Sequence, residues 1–270
     1  ATNSVRRRTG NVSAGTSIFA TVVLEHKLSK LRPEVDLVTT PAGDLAGMSH
    51  ANNFTADLNG WVDLFRQFSQ LNGRNVDDGT LYGELFRAAI GEDADPDAGG
   101  LLAYPFRTGE CLAGLAGGRP LFVRGPEARF SLANFMRAQL FGAFSPVTIG
   151  MNVMTEDEGV EIDSLVGHGG IFATPVVAQR ILAAAFNTPI RVMTTASEGG
   201  AWGMAVLADY LRHADLTLAD YLDDVVFAGA ESVTEAPRPD DVDGFQRFFA
   251  RFVKALPVER SAVEHVEIGG

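Results

Sequence analysis

A glycine-rich turn between a strand and a helix is the part of the sequence best suited to bind a polar ligand. Val160–Val166 has the apolar content of a half-buried strand, and Gly167–Gly170 should end it sharply. Thr174 then suits a helix N-cap, with Pro175 in the first helical position. Bare backbone can approach a ligand closely, and a helix N-terminus favours phosphate or polar nucleotide groups. Many α/β proteins place glycines at such turns for packing alone, so this pattern by itself is a weak signal.

A second turn of small residues lies near the start of the chain. Asn11–Ala14 and Ile18–Leu24 predict the two strands of a hairpin whose tip is Gly15, Thr16 and Ser17. The backbone N–H groups and two hydroxyls of this tip could form a nest for phosphate oxygens. On spacing alone, an ordinary polar turn is the better interpretation.

The order of these parts carries a resemblance to a known family. GHGGIFATPVVAQRILAAAFNTPIRV followed by SEGGAWGMAVLADYL resembles the adenosine-binding stretch of the FGGY carbohydrate kinases. That family's pattern is a glycine pair, a small polar residue four positions on, Gln in the helix, a short strand, then Glu and an Ala/Gly-rich helix. The resemblance implies that Gly169, Gly170 and Thr174 face the adenosine and that Glu198 lies in the wall of its pocket.

The resemblance runs nearly end to end and implies further nucleotide contacts. Gly15, Thr16 and Ser17 match the turn that holds the terminal phosphates of ATP. Asn52 and Asn53 precede a helix that starts near those phosphates in the family. These five residues are therefore expected to lie on the phosphate side of the nucleotide.

The start of the sequence bears on where the catalytic base lies. The family's catalytic aspartate falls in a glycine-rich stretch immediately before the region that residues 1–17 resemble. No Asp or Glu stands between Ala1 and Gly15 to replace it, so the base is expected to lie upstream of Ala1. Residues 1–270 are expected to be the C-terminal, nucleotide-binding half of a kinase. The N-terminal half would supply the sugar site, the base and most Mg²⁺ contacts, so neither a catalytic residue nor a metal ligand is expected here.

One stretch departs from the family pattern. Leu101–Glu110 resembles the family's strand and Gly-Glu-Arg segment, but Cys111–Ala113 replaces the usual Arg-Thr-Pro. How this loop faces the cleft, and which sugar it suits, therefore stay open. Cys111 has no neighbouring base in the sequence and is expected to be a packed thiol.

The elements that position these residues predict one α/β domain. The order of hairpin, strands, helix, long helix and βαβα unit fits a ribonuclease H-like (actin-like ATPase) domain with a mixed five-stranded sheet flanked by helices. The other predicted elements are strands at 35–39 and 45–49, helices at 55–68 and 80–90, a helix at 131–154 that Pro146 should kink or divide, a short helix and strand at 216–227, an acidic loop at 231–243 and a closing helix at 244–256.

The composition of the chain limits which classes of partner and which cellular location are expected. The formal charge of −12 argues against nucleic acid, and no apolar run reaches the ~18 residues that a membrane span needs. A single cysteine allows no intrachain disulfide, so a reducing cytoplasm is the expected location. At 46% hydrophobic residues, 270 residues suffice for a large core.

The expected chemistry is ATP-dependent phosphoryl transfer to a sugar hydroxyl, with ATP and Mg²⁺ bound in the cleft between the two halves. D-xylulose is the first choice of substrate, and L-ribulose or another polyol or sugar is the alternative. The isolated half is expected to be inactive, and a homodimer is a further expectation. A different class stays open: a non-catalytic nucleotide-binding module of the actin-like fold, since fold alone does not fix function.

Overall fold

A mixed sheet forms the centre of the computed structural model, which describes residues 5–193, 200–213 and 215–267. Seven strands of the described residues make this sheet, in the order β3-β4-β2-β1-β7-β8-β9. Two short strands, β5 and β6, pair separately. The bounds are β1 Thr9–Ala14, β2 Ile18–Val23, β3 Asp36–Thr39, β4 Leu45–Ala51, β5 Leu102–Tyr104, β6 Leu121–Val123, β7 Ser164–His168, β8 Ile190–Met193 and β9 Ser232–Glu235.

Strand directions confirm the predicted mixed sheet. β1 runs parallel to β7 and β7 parallel to β8, while β1–β2, β2–β4, β3–β4 and β8–β9 are antiparallel. Among the described residues the sheet has seven strands where five were expected, with the predicted strand β3 at one edge and β9 at the other. β9 lies in the segment predicted to be an acidic loop. Its residues are mostly exposed, and it is a strand because the free edge of β8 supplies hydrogen-bond partners that no local pattern reveals.

Eight α-helices occur in the described residues. They are α1 Thr55–Leu71, α2 Asp78–Ala88, α3 Leu132–Asn152, α4 Val177–Phe186, α5 Gly200–Tyr210, α6 Leu218–Tyr221, α7 Pro239–Lys254 and α8 Leu256–His265. The strand expected after α6 is absent, because Leu222–Val226 forms a π-helical turn instead. α7 begins five residues before the predicted start, with Pro239 in its first turn, and α8 follows it at once.

The long helix α3 continues through Pro146 rather than being divided by it. Most of its residues are buried on every side, between the sheet and helices α2, α4 and α7. Ser145 and Thr148 donate their hydroxyls to the carbonyls of Phe141 and Phe144, at 2.8 and 2.9 Å. The packing of an all-round apolar helix therefore outweighs the ladder hydrogen bond that proline removes.

The junction after β7 differs from the sequence prediction. The strand extends through Gly167 to His168, a 3₁₀ turn spans Gly170–Ala173, and α4 begins only at Val177. Thr174 is thus not the N-cap of α4. Val176 holds that place with φ +74°, and its N–H donates to the side chain of Gln179 at 3.3 Å. α4 ends at Phe186, and Asn187 follows it in the left-handed conformation.

One large hydrophobic core fills both faces of the central sheet. A smaller cluster around Val206, Leu218 and Tyr221 packs α5 against α6. Across the described ranges, no helix has the length and apolarity required to span a membrane.

A buried carboxyl on α8 predicts a pH dependence of stability. Glu259 is fully buried, accepts the N–H of Arg119 at 2.7 Å with Oε1, and has no partner for Oε2 in the described part of the chain. Burial raises the pKa of Glu259 to about 7, against an opposing pull from Arg119. Because the pKa of Glu259 is higher in the folded state than in the unfolded state, its contribution to the free energy of unfolding is fully present below about pH 4.5. This contribution is lost as pH rises through about 7.

We therefore expect the free energy of unfolding to fall by on the order of 2–3 kcal/mol between pH 5 and pH 8. Glu259→Gln should remove most of that fall, as measured by urea denaturation across the pH range. Glu264→Gln, at an exposed position of the same helix, is the matched control and should keep the fall. An undiminished pH dependence in Glu259→Gln would contradict the assignment.

Candidate functional site

A cavity of about 530 Å³ opens where the β1–β2 hairpin meets α1, α2 and the 170–174 turn. Four separate stretches of sequence contribute to its wall. The lining residues are Ala14, Gly15, Thr16, Thr55, Leu58, Asn59, Asp78, Gly79, Tyr82, Phe86, Gly170, Ile171, Ala173 and Thr174. The two turns that the sequence singled out, at 15–17 and 169–174, therefore meet at one cavity.

The hairpin tip is a tight turn fixed from two sides. The N–H of Gly15 donates to the carbonyl of Ser17 at 2.8 Å, and the hydroxyl of Thr55 donates to the carbonyl of Gly15 at 2.8 Å. Gly15 and Thr16 are exposed and line the cavity, whereas Ser17 does not line it. The first residue of α1 thus holds the tip in place and forms part of the cavity wall.

Two adjacent glycines have different physical roles. Gly169 has φ +118°, and a side chain there would overlap the carbonyl oxygen of Ala14, so the close approach of β1 to this turn requires glycine. Gly170 lies on the cavity wall, and a side chain there would meet no protein atom. Gly169 therefore serves the fold, while the space beside Gly170 is open to a ligand.

Helix α2 contributes a part of the wall that the sequence did not predict. Tyr82 and Phe86, four residues apart, face the cavity, and Asp78 and Gly79 lie at the start of the same helix. The Tyr82 hydroxyl donates to Asn59 Oδ1 at 2.9 Å, and burial raises its pKa, so it stays a neutral phenol. The i, i+4 spacing of two aromatic residues was the available signal, but it is equally typical of a core-facing helix.

Asn52 and Asn53 hold a neighbouring loop in place. Asn53 is buried, its Oδ1 accepts the N–H groups of Arg107 and Thr108 at 2.9 and 3.0 Å, and its Nδ2 donates to Glu110 Oε2 at 3.1 Å. Glu110 Oε2 also accepts the N–H of Asn52 at 2.9 Å. Neither asparagine lines the cavity, so their contact with phosphates stays a prediction. The loop's next residue, Cys111, is exposed, so the expected packed thiol was wrong.

Three polar residues of the glycine turn and its helix have defined positions. Thr174 is buried and lines the cavity. Gln179, the glutamine of the helix pattern, donates to the carbonyl of Val233 at 2.9 Å, which ties α4 to β9. His168 contacts Asn11 at 3.2 Å, and burial lowers the pKa of its imidazole.

Two of the sequence predictions fall outside the described residues. Glu198, expected in the wall of the adenosine pocket, is one of them. Ala1, the residue upstream of which the catalytic base is expected, is the other, since the description begins at Val5. The pocket role of Glu198 and a base upstream of Ala1 therefore stay predictions.

The cavity wall carries little charge. Among the described residues, its lining includes one carboxylate, Asp78, which pairs with Arg66 at 2.9 Å, and no lysine or arginine. Within the described ranges, no group of three or more His, Cys, Asp or Glu side chains is arranged to hold a metal ion. The site offers an apolar pocket, exposed backbone at two glycine turns and several hydroxyls, a combination suited to a neutral heterocycle with a polar tail.

Comparison with known families decides the identity of this arrangement. The family "FGGY family of carbohydrate kinases, C-terminal domain" matches residues 10–211, which include both turns of the cavity. The chain belongs to the FGGY carbohydrate kinases and contains their C-terminal domain. These kinases have the actin-like ATPase fold, and the sheet described above agrees with it. A search of curated protein sequences found no match.

Solved structures support the fold. The chain is similar to a xylulose kinase and a gluconate kinase from Lactobacillus acidophilus, with TM-scores of 0.70 and 0.71 at 16% and 17% identity. Each comparison covers 98% of this chain and 49% of the other. A Plasmodium falciparum glycerol kinase solved with ADP gives a TM-score of 0.66 at 15% identity, over 97% of this chain and 47% of the other. The chain thus spans about half the length of these FGGY-fold kinases.

Proposed function

We propose that this FGGY domain binds ATP in the cavity between the hairpin tip and the 170–174 turn, and donates its terminal phosphoryl group to a sugar held by an N-terminal half. The observation that carries the proposal is the meeting of Gly15, Thr16, Gly170 and Thr174 at one 530 Å³ cavity. Kinases of this family use ATP with a divalent metal.

The cavity's shape and chemistry fit a nucleotide in one orientation. The apolar wall of Leu58, Tyr82 and Phe86 suits a purine ring, and the bare backbone at Gly170 leaves room for the ribose. The hairpin tip, with Gly15 and Thr16 exposed, then receives the phosphates through N–H and hydroxyl donors. Phosphoryl transfer depends mainly on such positioning and on neutralising charge, which this half supplies only in part.

The acceptor sugar is proposed to be a ketopentose such as D-xylulose, with L-ribulose second. The similar solved structures include a xylulose kinase, a gluconate kinase and a glycerol kinase, so aldonates and polyols are the competing classes. Among the described residues, Asp78 is the carboxylate that lines the cavity, and it is paired with Arg66, so none of them offers a free base to orient a hydroxyl. The sugar contacts are therefore assigned to the N-terminal half, and the base to a position upstream of Ala1.

The test compares the 270-residue chain with the same chain joined to its N-terminal half. Each is mixed with Mg-ATP and a panel of ketopentoses, polyols and aldonates, and ADP release is followed. We expect the chain alone to bind ATP without sugar-dependent turnover, and the joined protein to turn over, with the highest kcat/KM for a ketopentose.

Three results would contradict parts of the proposal. Sugar-dependent turnover by the chain alone, near that of the joined protein, would show that the catalytic base lies within it. A polyol or aldonate as the best substrate would overturn the substrate class. ATP binding without turnover on any sugar in either protein would favour a non-catalytic nucleotide-binding module.

A further inference from the structure

The described lining of the proposed nucleotide site contains no lysine or arginine. The chain carries a formal charge of −12, and the lining includes one carboxylate, Asp78, in the part of the chain that the structure describes. ATP brings several negative charges to this place, so a nearby cation would strengthen its binding.

Arg107 places a guanidinium group against the first turn of α1. Its Nη1 donates to the carbonyl of Ala56 at 3.4 Å, in the first turn of α1. The preceding residue, Thr55, donates its hydroxyl to Gly15 at 2.8 Å and lines the cavity. Arg107 and the hairpin tip therefore both contact the first turn of α1.

The backbone of Arg107 is held by a buried side chain, whereas its own side chain is exposed. Its N–H donates to the buried Asn53 Oδ1 at 2.9 Å, within the loop that Glu110 anchors. The side chain is exposed, and the long bond to Ala56 is its one side-chain hydrogen bond among the described residues. A guanidinium on a fixed loop can thus turn toward an arriving anion at little cost.

The nearest competing anion is Asp57, on the same turn of α1. Burial raises the pKa of Asp57, and its Oδ2 already accepts the indole N–H of Trp61 at 3.1 Å. Arg107 reaches Asp57 through charge alone, without a hydrogen bond. The five N–H donors of the guanidinium are therefore largely available to phosphate oxygens.

We propose that Arg107 is a phosphate-binding residue, which contacts the β- or γ-phosphate of the nucleotide at the hairpin tip. The proposal rests on the function proposed above, and it assigns Arg107 to the phosphates alone and not to the nucleoside.

The test measures Kd for ATP, ADP, AMP and adenosine with Mg²⁺ present, by competition against a fluorescent nucleotide, on the full 270-residue chain. Arg107→Gln should weaken ATP binding about tenfold and leave adenosine binding unchanged, and an equal loss for ADP would indicate contact with the β-phosphate rather than the γ-phosphate. Arg107→Lys should recover part of the loss, because it keeps the charge but loses the fork of donors. Arg74→Gln, an exposed arginine at the far end of α1, controls for the change in net charge.

The outcomes separate this proposal from the proposed function. An equal loss for ATP and adenosine in Arg107→Gln, with none recovered in Arg107→Lys, would mean that Arg107 acts only through the loop and would overturn the proposal. Unchanged ATP affinity would overturn it as well. If the unaltered chain bound neither adenosine nor ATP, the function proposed above would fail first and the role of Arg107 with it.

Discussion

Replacing Gly170 with valine should weaken ATP binding by about 10- to 100-fold while leaving the protein as stable as before. Gly170 is exposed on the cavity wall, and a side chain there meets no protein atom, so the fold can accommodate valine. The added methyl groups would instead occupy the space proposed for the ribose. Adenosine should lose affinity by the same factor as ATP, because the obstruction lies on the nucleoside side.

Two neighbouring comparisons make this experiment specific. Gly125→Val changes a glycine that also has open space around it but lies outside the cavity, so its Kd values should not change. Gly169→Ala, unlike Gly170→Val, should lower the melting temperature. Its side chain would overlap the carbonyl of Ala14, and its backbone φ of +118° disfavours any residue but glycine. Unaltered ATP affinity in a folded Gly170→Val protein would refute the adenosine assignment.

Together with Arg107→Gln, these variants test separately the nucleoside part and the phosphate part of the proposed nucleotide site. Gly170 is expected to affect nucleoside and nucleotide equally, whereas Arg107 should affect only ligands with terminal phosphates. If both variants instead weakened every ligand alike, the orientation proposed for the nucleotide would be wrong even though the cavity still bound it.

The parts of the site that the sequence predicted are those with local signals. Small residues between two strands mark the hairpin tip at Gly15–Ser17, and a glycine run after a strand marks the turn at Gly169–Gly170. Both depend on backbone conformations that glycine and short polar residues favour over a few positions. Their meeting at one cavity follows from β1 lying parallel to β7, a pairing of strands far apart in the sequence.

The parts that sequence reasoning missed depend on contacts between distant residues. Tyr82 and Phe86 face the cavity only because α2 packs against α1 and α3, and no pattern within α2 distinguishes that face from an ordinary core face. β9 is a strand because β8 has a free edge. The start of α4 at Val177, past Thr174 and Pro175, reflects a 3₁₀ turn wedged between β7 and the helix, which overrides the local capping signal.

A buried charge cluster also escaped prediction, although its members are conspicuous in the sequence. Asp241 on α7 accepts hydrogen bonds from Arg137 on α3 at 2.7 Å and from Arg180 on α4 at 2.6 Å. The Arg137 and Asp241 side chains are 4% and 7% exposed, which makes this an interior ion pair. It joins three helices that lie far apart in the chain, which no local pattern encodes.

Removal of Asp241 should cause the largest loss of stability in the protein. Asp241→Ala would leave Arg137 buried without its counter-ion and would remove the carboxylate that Arg180 contacts. Removing one partner of a buried ion pair typically costs about 3–5 kcal/mol of stability. For a chain of this size, that corresponds to a fall in melting temperature of roughly 10 °C. Asp240→Ala is the matched control: it removes an exposed carboxylate from the same first turn of α7 and should cost at most about 1 kcal/mol of helix-dipole stabilisation.

The pH dependence gives an independent check on the same cluster. Burial alone would raise the pKa of Asp241, but the hydrogen bonds and charges of Arg180 and Arg137 outweigh it, so its pKa lies below the usual 3.8. Because the pKa of Asp241 is lower in the folded state, the ionised carboxylate stabilises the fold at pH values above its unfolded-state pKa. This stabilisation is lost as pH falls through the folded-state pKa. The difference in unfolding free energy between the wild type and Asp241→Ala, from urea denaturation, should therefore be constant near neutral pH and shrink below about pH 4. A loss no greater than that of Asp240→Ala would mean that the three helices do not depend on this ion pair.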